Sequence, residues 1–92
     1  MRYTCDPLKN ERNLAERGIP FSVAEQLDWS TALIVEDTRR ACSERRFQVL
    51  GFIGEHLHML VFTPRDGAVH VIGLRRANKR ERIRYDAAQT QP

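Results

Sequence analysis

The first third of the chain has the spacing and the end signals of helices. Asp6-Pro7 suits a helix start, because Asp binds free N–H groups and Pro fits the first helical position, and Gly18 suits a helix end. The stretch Ser22-Val23-Ala24-Glu25 is a capping box, in which the hydroxyl and the carboxylate each bind a free N–H group. The pattern therefore predicts two N-terminal helices, the second ending near Trp29.

Beyond about residue 31 the pattern changes to that of strands. Apolar or alternating stretches at 32–35, 44–52, 57–63 and 68–74 are separated by short polar turns, and Asp66-Gly67 is a strong hairpin signal. Asn78 can cap a last helix from Lys79 to about Ala88. Because hairpin-length connections make neighbouring strands antiparallel, the predicted fold is α+β: two N-terminal helices, a four-stranded antiparallel sheet and a C-terminal helix.

The chain has 92 residues, and this length predicts one domain over residues 1–92. Its longest apolar runs, such as 59–62, are too short to cross a bilayer, and its N-terminus has no apolar signal-peptide core. Both observations favour a cytoplasmic location. Since thiols stay reduced in that compartment, Cys5 and Cys42 are expected to be free.

Sequence motifs of several large enzyme classes are missing. The chain has no Walker loop, no GxGxxG stretch, no GxSxG elbow and no HExxH pair. The sequence therefore argues against nucleotide cofactors, serine-hydrolase chemistry and zinc proteolysis, and no cofactor is expected.

Positive charge is concentrated in the C-terminal fifth of the chain. The net charge is +3, yet residues 74–92 alone carry six basic and two acidic side chains. Arg forks match phosphate oxygens and Lys adds a point charge, so this block predicts binding to a polyanion such as RNA; the alternative is a solvated helix surface. The predicted contacts with RNA are Arg65, Arg76, Lys79, Arg80 and Arg82.

Two further groups of side chains are candidates for chemistry. Glu44 and Arg46 fall on one face of a predicted strand, where the carboxylate could accept a proton beside a phosphate-binding arginine; the alternative is an ordinary ion pair. His58 and His70 titrate near neutral pH and are candidates for acid–base catalysis, or are plain surface histidines. His56 shares a face with His58, but no usual ligand spacing completes a metal site, and none is predicted.

Several short motifs, taken together in their order, resemble the BrnT family of bacterial toxins. They lie at 5–9, 13–14, 17–19, 21, 44–47, 51, 62–67, 75–81 and 85, and so cover nearly the whole chain. Examples are the acidic-x-Arg strand at Glu44-Arg45-Arg46 and the hairpin Phe62-Thr63-Pro64-Arg65-Asp66-Gly67.

The resemblance implies a RelE-like fold and a ribonuclease that stops translation. It also implies a BrnA-type antitoxin that neutralises the toxin in a hetero-oligomer, with operator DNA bound only through the antitoxin. Two positions depart from the family's last strand: His70 stands where Arg is usual, and Gly73 where Ser is usual. The absence of that Arg removes a phosphate-binding group, whereas a His could serve in proton transfer.

The first hypothesis is therefore a metal-independent endoribonuclease with RNA as its substrate. A base takes the ribose 2′ proton, the 2′ oxygen attacks the adjacent phosphate, and arginines stabilise the added charge. A second hypothesis is a catalytically attenuated toxin that acts as a subunit of a DNA-binding repressor complex, and a third is an RNA-binding module without chemistry. The predicted catalytic residues are Glu44, Arg46, His58, His70 and Arg75.

Overall fold

The computed structural model describes residues 1–38 and 44–90, and within them five strands form one mixed β-sheet. The elements in chain order are β1 (Tyr3–Cys5), α1 (Pro7–Arg17), two 3₁₀ helices (Phe21–Gln26 and Trp29–Thr31), β2 (Leu33–Glu36), β3 (Phe47–Ile53), β4 (His56–Arg65), β5 (Ala68–Arg76) and α2 (Lys79–Gln89). The order across the sheet is β1-β5-β4-β3-β2. β1 runs parallel to β5, and the other neighbours are antiparallel.

The predicted arrangement of two N-terminal helices and a four-stranded antiparallel sheet was wrong in two respects. The sheet has an additional strand, β1, which pairs in parallel with β5 near the other end of the chain, a contact that leaves no local sequence pattern. The second helix is instead a pair of short 3₁₀ helices. Pro20 takes the N-cap position of the first of them, which has no side-chain cap among the described residues, so the Ser22–Glu25 box does not form.

The predicted ends of both α-helices and the predicted hairpin turn are confirmed. The Asp6 carboxylate accepts a hydrogen bond of 2.9 Å from the first turn of α1, and Gly18 ends that helix with a left-handed φ of 71°. Asn78 caps α2. Asp66 and Gly67 both have positive φ, 52° and 74°, as a two-residue turn between twisted strands requires.

Apolar side chains pack on both faces of the sheet. On one face, β3, β4 and β5 pack against the first 3₁₀ helix. On the other face, Tyr85 of α2 packs on Leu50 and Met59, and its hydroxyl donates to the Thr31 carbonyl at 2.9 Å. The buried residues of the first cluster are Phe21, Ala24, Leu27, Val49, Ile53, Leu60, Val69, Val71 and Leu74.

Asn13 fixes α1 to the edge of the sheet beyond the end of β1. β1 pairs with β5 only at residues 69–71, which leaves the next β5 carbonyls on that edge without a strand partner. The Asn13 amide donates to the carbonyls of Leu74 and Ile19, both at 2.8 Å. An uncovered edge is a site for unwanted strand pairing, and here a helix side chain covers it.

Two further expectations concern free cysteines and the absence of a membrane-spanning segment. Cys5 is a half-buried free thiol, as predicted. Cys42 lies outside the described residues, as does part of the loop predicted from Glu36 to Ser43. Within residues 1–38 and 44–90, no helix has the length and apolar character needed to span a bilayer.

Gly51→Ala is expected to lower the free energy of unfolding by about 1–3 kcal/mol, because the site is already filled. A Cβ at Gly51 would lie 3.0 Å from Leu27 Cδ1 and 3.3 Å from Ala32 Cβ. Gly73→Ala is the matched control, since none of the described atoms lies within 4 Å of its added Cβ. Urea unfolding of both variants checks the prediction, and equal effects would contradict it.

Candidate active site

A β-bulge in β5 brings two of the predicted site residues, His70 and Arg75, onto one face of the sheet. The register between β4 and β5 shifts at Val61/Phe62, which gives β5 one extra residue, Ile72. Side chains of a strand alternate between faces, and the extra residue shifts that alternation by one. The side chains of His70 and Arg75 therefore project from the same side of the sheet, here called the groove face, and Gly73 leaves that side open between them.

The start of β3 adds polar side chains to the groove face. Gln48 lies in the same row of cross-strand partners as Gly73, and Arg46, two residues earlier, faces the same side. The Thr63 side chain of β4 is buried, and its hydroxyl donates to the Arg45 carbonyl. This contact holds the segment before β3 against β4.

Hydrogen bonds join four side chains from four parts of the chain into one group, here called the Arg65 cluster. Arg65, at the end of β4, binds both oxygens of the Glu44 carboxylate, with Nε to Oε2 at 3.0 Å and Nη2 to Oε1 at 2.7 Å. Arg65 Nη1 lies 3.1 Å from His70 Nε2. His70 Nδ1 lies 2.8 Å from the hydroxyl oxygen of Thr4 in β1. A carboxylate, a guanidinium and an imidazole thus meet at one end of the groove face.

The cluster determines the protonation of His70. A guanidinium offers only donors, so Nε2 of His70 accepts from Arg65, and the ring proton sits on Nδ1 and is donated to Thr4. Burial, and then the positive charge of Arg65, lower the pKa of His70. The hydrogen bonds from Arg65 lower the pKa of Glu44. At neutral pH the cluster therefore holds a neutral imidazole and an ionised carboxylate.

A groove of about 610 Å³ opens on the groove face next to the Arg65 cluster. Its floor is formed by strand residues, Gln48, Met59, Val61 and Gly73. Its walls come from α1 and α2 and from the end of β5, and they are strongly basic. The charged residues of the lining are Arg17, Arg75, Arg80, Arg84 and Glu81.

Glu81 orients Arg75 and caps α2 at the same time. Its carboxylate accepts two hydrogen bonds from Arg75, both of 2.7 Å, and a third of 3.0 Å from the Asn78 backbone N–H. The Asn78 side chain accepts in turn from the Glu81 N–H at 2.8 Å. The hydrogen bonds from Arg75 lower the pKa of Glu81 and raise that of Arg75. The Arg75 side chain is thereby held in one orientation at the groove wall.

Glu81→Gln is expected to lower the free energy of unfolding at neutral pH by about 1–2 kcal/mol. The Glu81 side chain is only 12% exposed, so its pairing with Arg75 is well shielded from water. Its pKa is lowered in the folded state, so this stability is present above the unfolded value of 4.5 and is lost as pH falls through the folded pKa. Urea unfolding across the acid range measures the difference between the two proteins.

That difference should stay constant from neutral pH to about 5 and shrink below the unfolded pKa. Glu25→Gln, at an exposed position of the first 3₁₀ helix, is the control and should have little effect. A difference between wild type and Glu81→Gln that persists unchanged into strong acid would contradict the prediction.

The predicted RNA contacts on α2 and β4 lie in different environments. Arg80 lines the groove, whereas Lys79 and Arg82 are exposed residues of α2 outside its lining. Arg65, also predicted as an RNA contact, lies at the centre of the cluster that holds Glu44 and His70.

Two of the predicted site residues, His58 and Arg76, lie on the opposite face of the sheet. They are cross-strand partners, and Arg76 Nη2 lies 2.7 Å from His56 Nδ1. His58 is buried, which lowers its pKa, and its Nδ1 donates to the His56 carbonyl at 2.8 Å. The sheet separates these side chains from Glu44, His70 and Arg75. Across the described ranges, no three His, Cys, Asp or Glu side chains are grouped to hold a metal ion.

Sequence reasoning did not assign several residues that the structure puts at the site: Thr4, Asn13, Arg17, Gln48, Glu81 and Arg84. The spacing of three of them could have been a signal. Arg80 and Arg84 are four residues apart on the last helix, and Asn13 and Arg17 are four apart on the first, so each pair shares one face of its helix. Thr4 had no signal, because β1 was not predicted. Gln48 had only its place in the alternating strand pattern.

Two comparisons with known proteins point to the same family. Residues 6–81 match the model of a family described as the ribonuclease toxin BrnT of a type II toxin–antitoxin system. The chain is also similar to the 1.1 Å crystal structure of the ribonuclease toxin BrnT of Brucella abortus. That similarity has a TM-score of 0.67 and 23% identity, covers 86% of this chain and 99% of that one, and supports the fold. A comparison with curated protein sequences gave no match.

Proposed function

The chain belongs to the BrnT family of ribonuclease toxins of type II toxin–antitoxin systems, and we propose that it is a metal-independent endoribonuclease that cuts RNA at the Arg65 cluster. The family implies an RNA substrate and an antitoxin partner. The matched range includes every residue of the cluster except Thr4, and it also includes Arg75 and Glu81.

The observation that carries this proposal is the hydrogen-bonded series Glu44–Arg65–His70. An RNA phosphate that takes over the N–H groups of Arg65 frees Nε2 of His70, which is unprotonated. The freed nitrogen accepts the ribose 2′ proton, and the 2′ oxygen attacks the adjacent phosphorus. Arg65 stabilises the added negative charge, and Arg46, on the same face, supports it.

The bond from phosphorus to the 5′ oxygen then breaks, and that oxygen takes up a proton from water. The hydroxide left behind takes the proton from His70, which returns the imidazole to its neutral form. The products are a 2′,3′-cyclic phosphate and a 5′-hydroxyl. The Glu44 carboxylate, whose charge favours the protonated form of His70, stabilises the imidazolium that forms. DNA is not cut by this route, because it lacks the 2′-hydroxyl.

The basic groove beside the cluster holds the rest of the substrate. A guanidinium has five N–H donors. Arg75 uses two of them on Glu81 and one, at 3.3 Å, on the Arg76 carbonyl, so it keeps two for an RNA phosphate. The same groove is lined by three more arginines, Arg80, Arg84 and Arg17. The ion pairs of the described residues do not include any of these three. These arginines suit the backbone of a single strand.

Membership of the family also motivates a more detailed proposal. We propose that residues 1–92 act as one domain in the cytoplasm and that RNA cleavage blocks translation. A BrnA-type antitoxin neutralises the chain in a hetero-oligomer, and operator DNA is bound only through that antitoxin.

A second function is favoured by the state of the arginines. Arg65 and Arg75 are each bound through two hydrogen bonds to a carboxylate, which neutralises much of their charge before RNA arrives. His70 also stands where the family usually has Arg. On this account the chain is a catalytically attenuated toxin that acts mainly as a subunit of a DNA-binding repressor complex.

Induced expression of the chain alone in bacteria separates the two functions. The strains carry the wild type, Arg65→Ala or His70→Arg. If the wild type stops growth and cuts RNA, and both variants relieve this, the ribonuclease stands with His70 as its base. If the wild type is harmless and His70→Arg is toxic, the attenuated toxin is correct.

A further inference from the structure

The floor of the groove is open at Gly73. Gln48, Val61 and Gly73 form one row across β3, β4 and β5. If Gly73 carried a Cβ, none of the described atoms would lie within 4 Å of it, so the space over Gly73 on the groove face is empty. Met59, in the next row, is buried and extends the apolar part of the floor. The open position at Gly73 and the volume of the groove leave room for a planar group over this surface.

The amide of Gln48 is held in a defined orientation at one side of that floor. Its Nε2 donates to a carboxylate oxygen of Asp37 at 3.3 Å. A carboxylate only accepts, so this contact distinguishes the amide nitrogen from the amide oxygen. Asp37 is itself fixed, because its backbone N–H donates to the Arg46 carbonyl at 2.7 Å. Gln48 therefore offers Oε1 as an acceptor and its second N–H as a donor in a set arrangement.

A planar apolar floor, an oriented amide and arginine walls together match a nucleotide. Unpaired bases are recognised by stacking, including stacking on Arg guanidinium planes, and by hydrogen bonds to their edges. The volume of about 610 Å³ lies within the usual range of about 300–1,000 Å³ for ligand sites. We infer that the groove holds one unpaired nucleobase whose edge is read by Gln48, an assignment that rests on the proposed ribonuclease function.

The fixed amide makes this subsite selective. The amide offers one acceptor and one donor in a fixed order, so it forms two good hydrogen bonds with the edges of some bases and not of others. A pair of such hydrogen bonds favours the matching base over the others by about 1–3 kcal/mol, or roughly 5- to 150-fold in affinity. Gln48→Met keeps the size of the side chain and removes both hydrogen-bonding groups. Gly73→Leu instead fills the space above the floor.

The test measures binding rather than cleavage. Four 2′-O-methyl oligonucleotides, which cannot be cut, share their flanks and carry a short central tract of A, C, G or U. By fluorescence anisotropy, the wild type should bind them with affinities that differ by about tenfold or more. Gln48→Met should bring the four affinities within about threefold of one another, and Gly73→Leu should weaken all four by about tenfold.

Gln26→Met, at an exposed position of the first 3₁₀ helix, is the control and should keep the preference. Thermal unfolding checks that each variant is folded. The inference is overturned if the wild type binds all four equally, as a groove for a protein side chain would, or if Gln48→Met keeps the preference. A wild type that prefers one base but cuts no RNA would refute the ribonuclease and leave the base subsite standing.

Discussion

Arg65→Ala is expected to lower the rate of RNA cleavage by about 10²- to 10³-fold. The side chain contacts both Glu44 and His70, so its loss removes the group that stabilises the developing charge and separates the two titratable groups. Since the interaction matters most in the transition state, the loss should fall mainly on kcat, with a small change in KM. Single-turnover cleavage of a labelled RNA measures it.

Arg45→Ala is the matched control for Arg65→Ala. Arg45 binds both oxygens of Glu36 at 3.0 and 2.9 Å, as Arg65 binds Glu44. Both pairs are largely exposed, so neither substitution should greatly change stability. An equal loss of cleavage in the two variants would point to a general charge effect. Nearly normal cleavage by Arg65→Ala would remove the cluster from the mechanism.

Reversing the charge of both Arg80 and Arg84 is expected to weaken RNA binding by at least about tenfold. The two residues are one helical turn apart on α2 and line the same groove wall. A plot of log affinity against log salt concentration has a negative slope. For a single strand, each arginine that no longer binds a phosphate should make that slope shallower by about 0.7. Titrations of Arg80→Glu/Arg84→Glu at several salt concentrations should therefore show a slope shallower by about 1.4.

The control makes the same charge change on the same helix. Lys79→Glu/Arg82→Glu alters two exposed positions outside the groove lining. It should weaken binding less than the groove pair, although Lys79 and Arg82 were both predicted as RNA contacts. If the two double variants lose affinity equally, RNA follows the general charge of α2 rather than the groove.

Local chemistry made the ends of elements predictable. Asp6, Gly18 and Asn78 act where their own side chain or backbone preference decides the outcome, and the structure has them in those roles. The Asp66-Gly67 turn is of the same kind, since both residues tolerate positive φ. In each case the information lies within about five residues of sequence.

Long-range pairing and register were not predictable in this way. β1 has only three residues and depends on β5 for its hydrogen bonds, so its own sequence carries little signal. The bulge at Ile72 also leaves no pattern, because β5 is apolar at most positions. Yet it is the bulge that puts His70 and Arg75 on one face. The two residues are five apart, so regular alternation along the strand would have put them on opposite faces.

The sequence predicted most of the residues of the candidate site, but not which of them lie close together. Glu44, Arg46, His70 and Arg75 all lie on the groove face or at its end, whereas His58, chosen for its pKa range, lies behind the sheet. The role of Arg65 depends on contacts with residues 21 and 5 positions away, on different elements. Such grouping follows from the sheet topology and not from sequence spacing.

The most direct measurement compares purified protein acting on an oligoribonucleotide and on the all-DNA version of the same sequence, both with a strong metal chelator present. The proposed mechanism predicts that the RNA alone is cut and that the products carry 2′,3′-cyclic phosphate and 5′-hydroxyl ends. Cleavage of the DNA, RNA products with 5′-phosphate ends, or an RNA left intact under these conditions would contradict it.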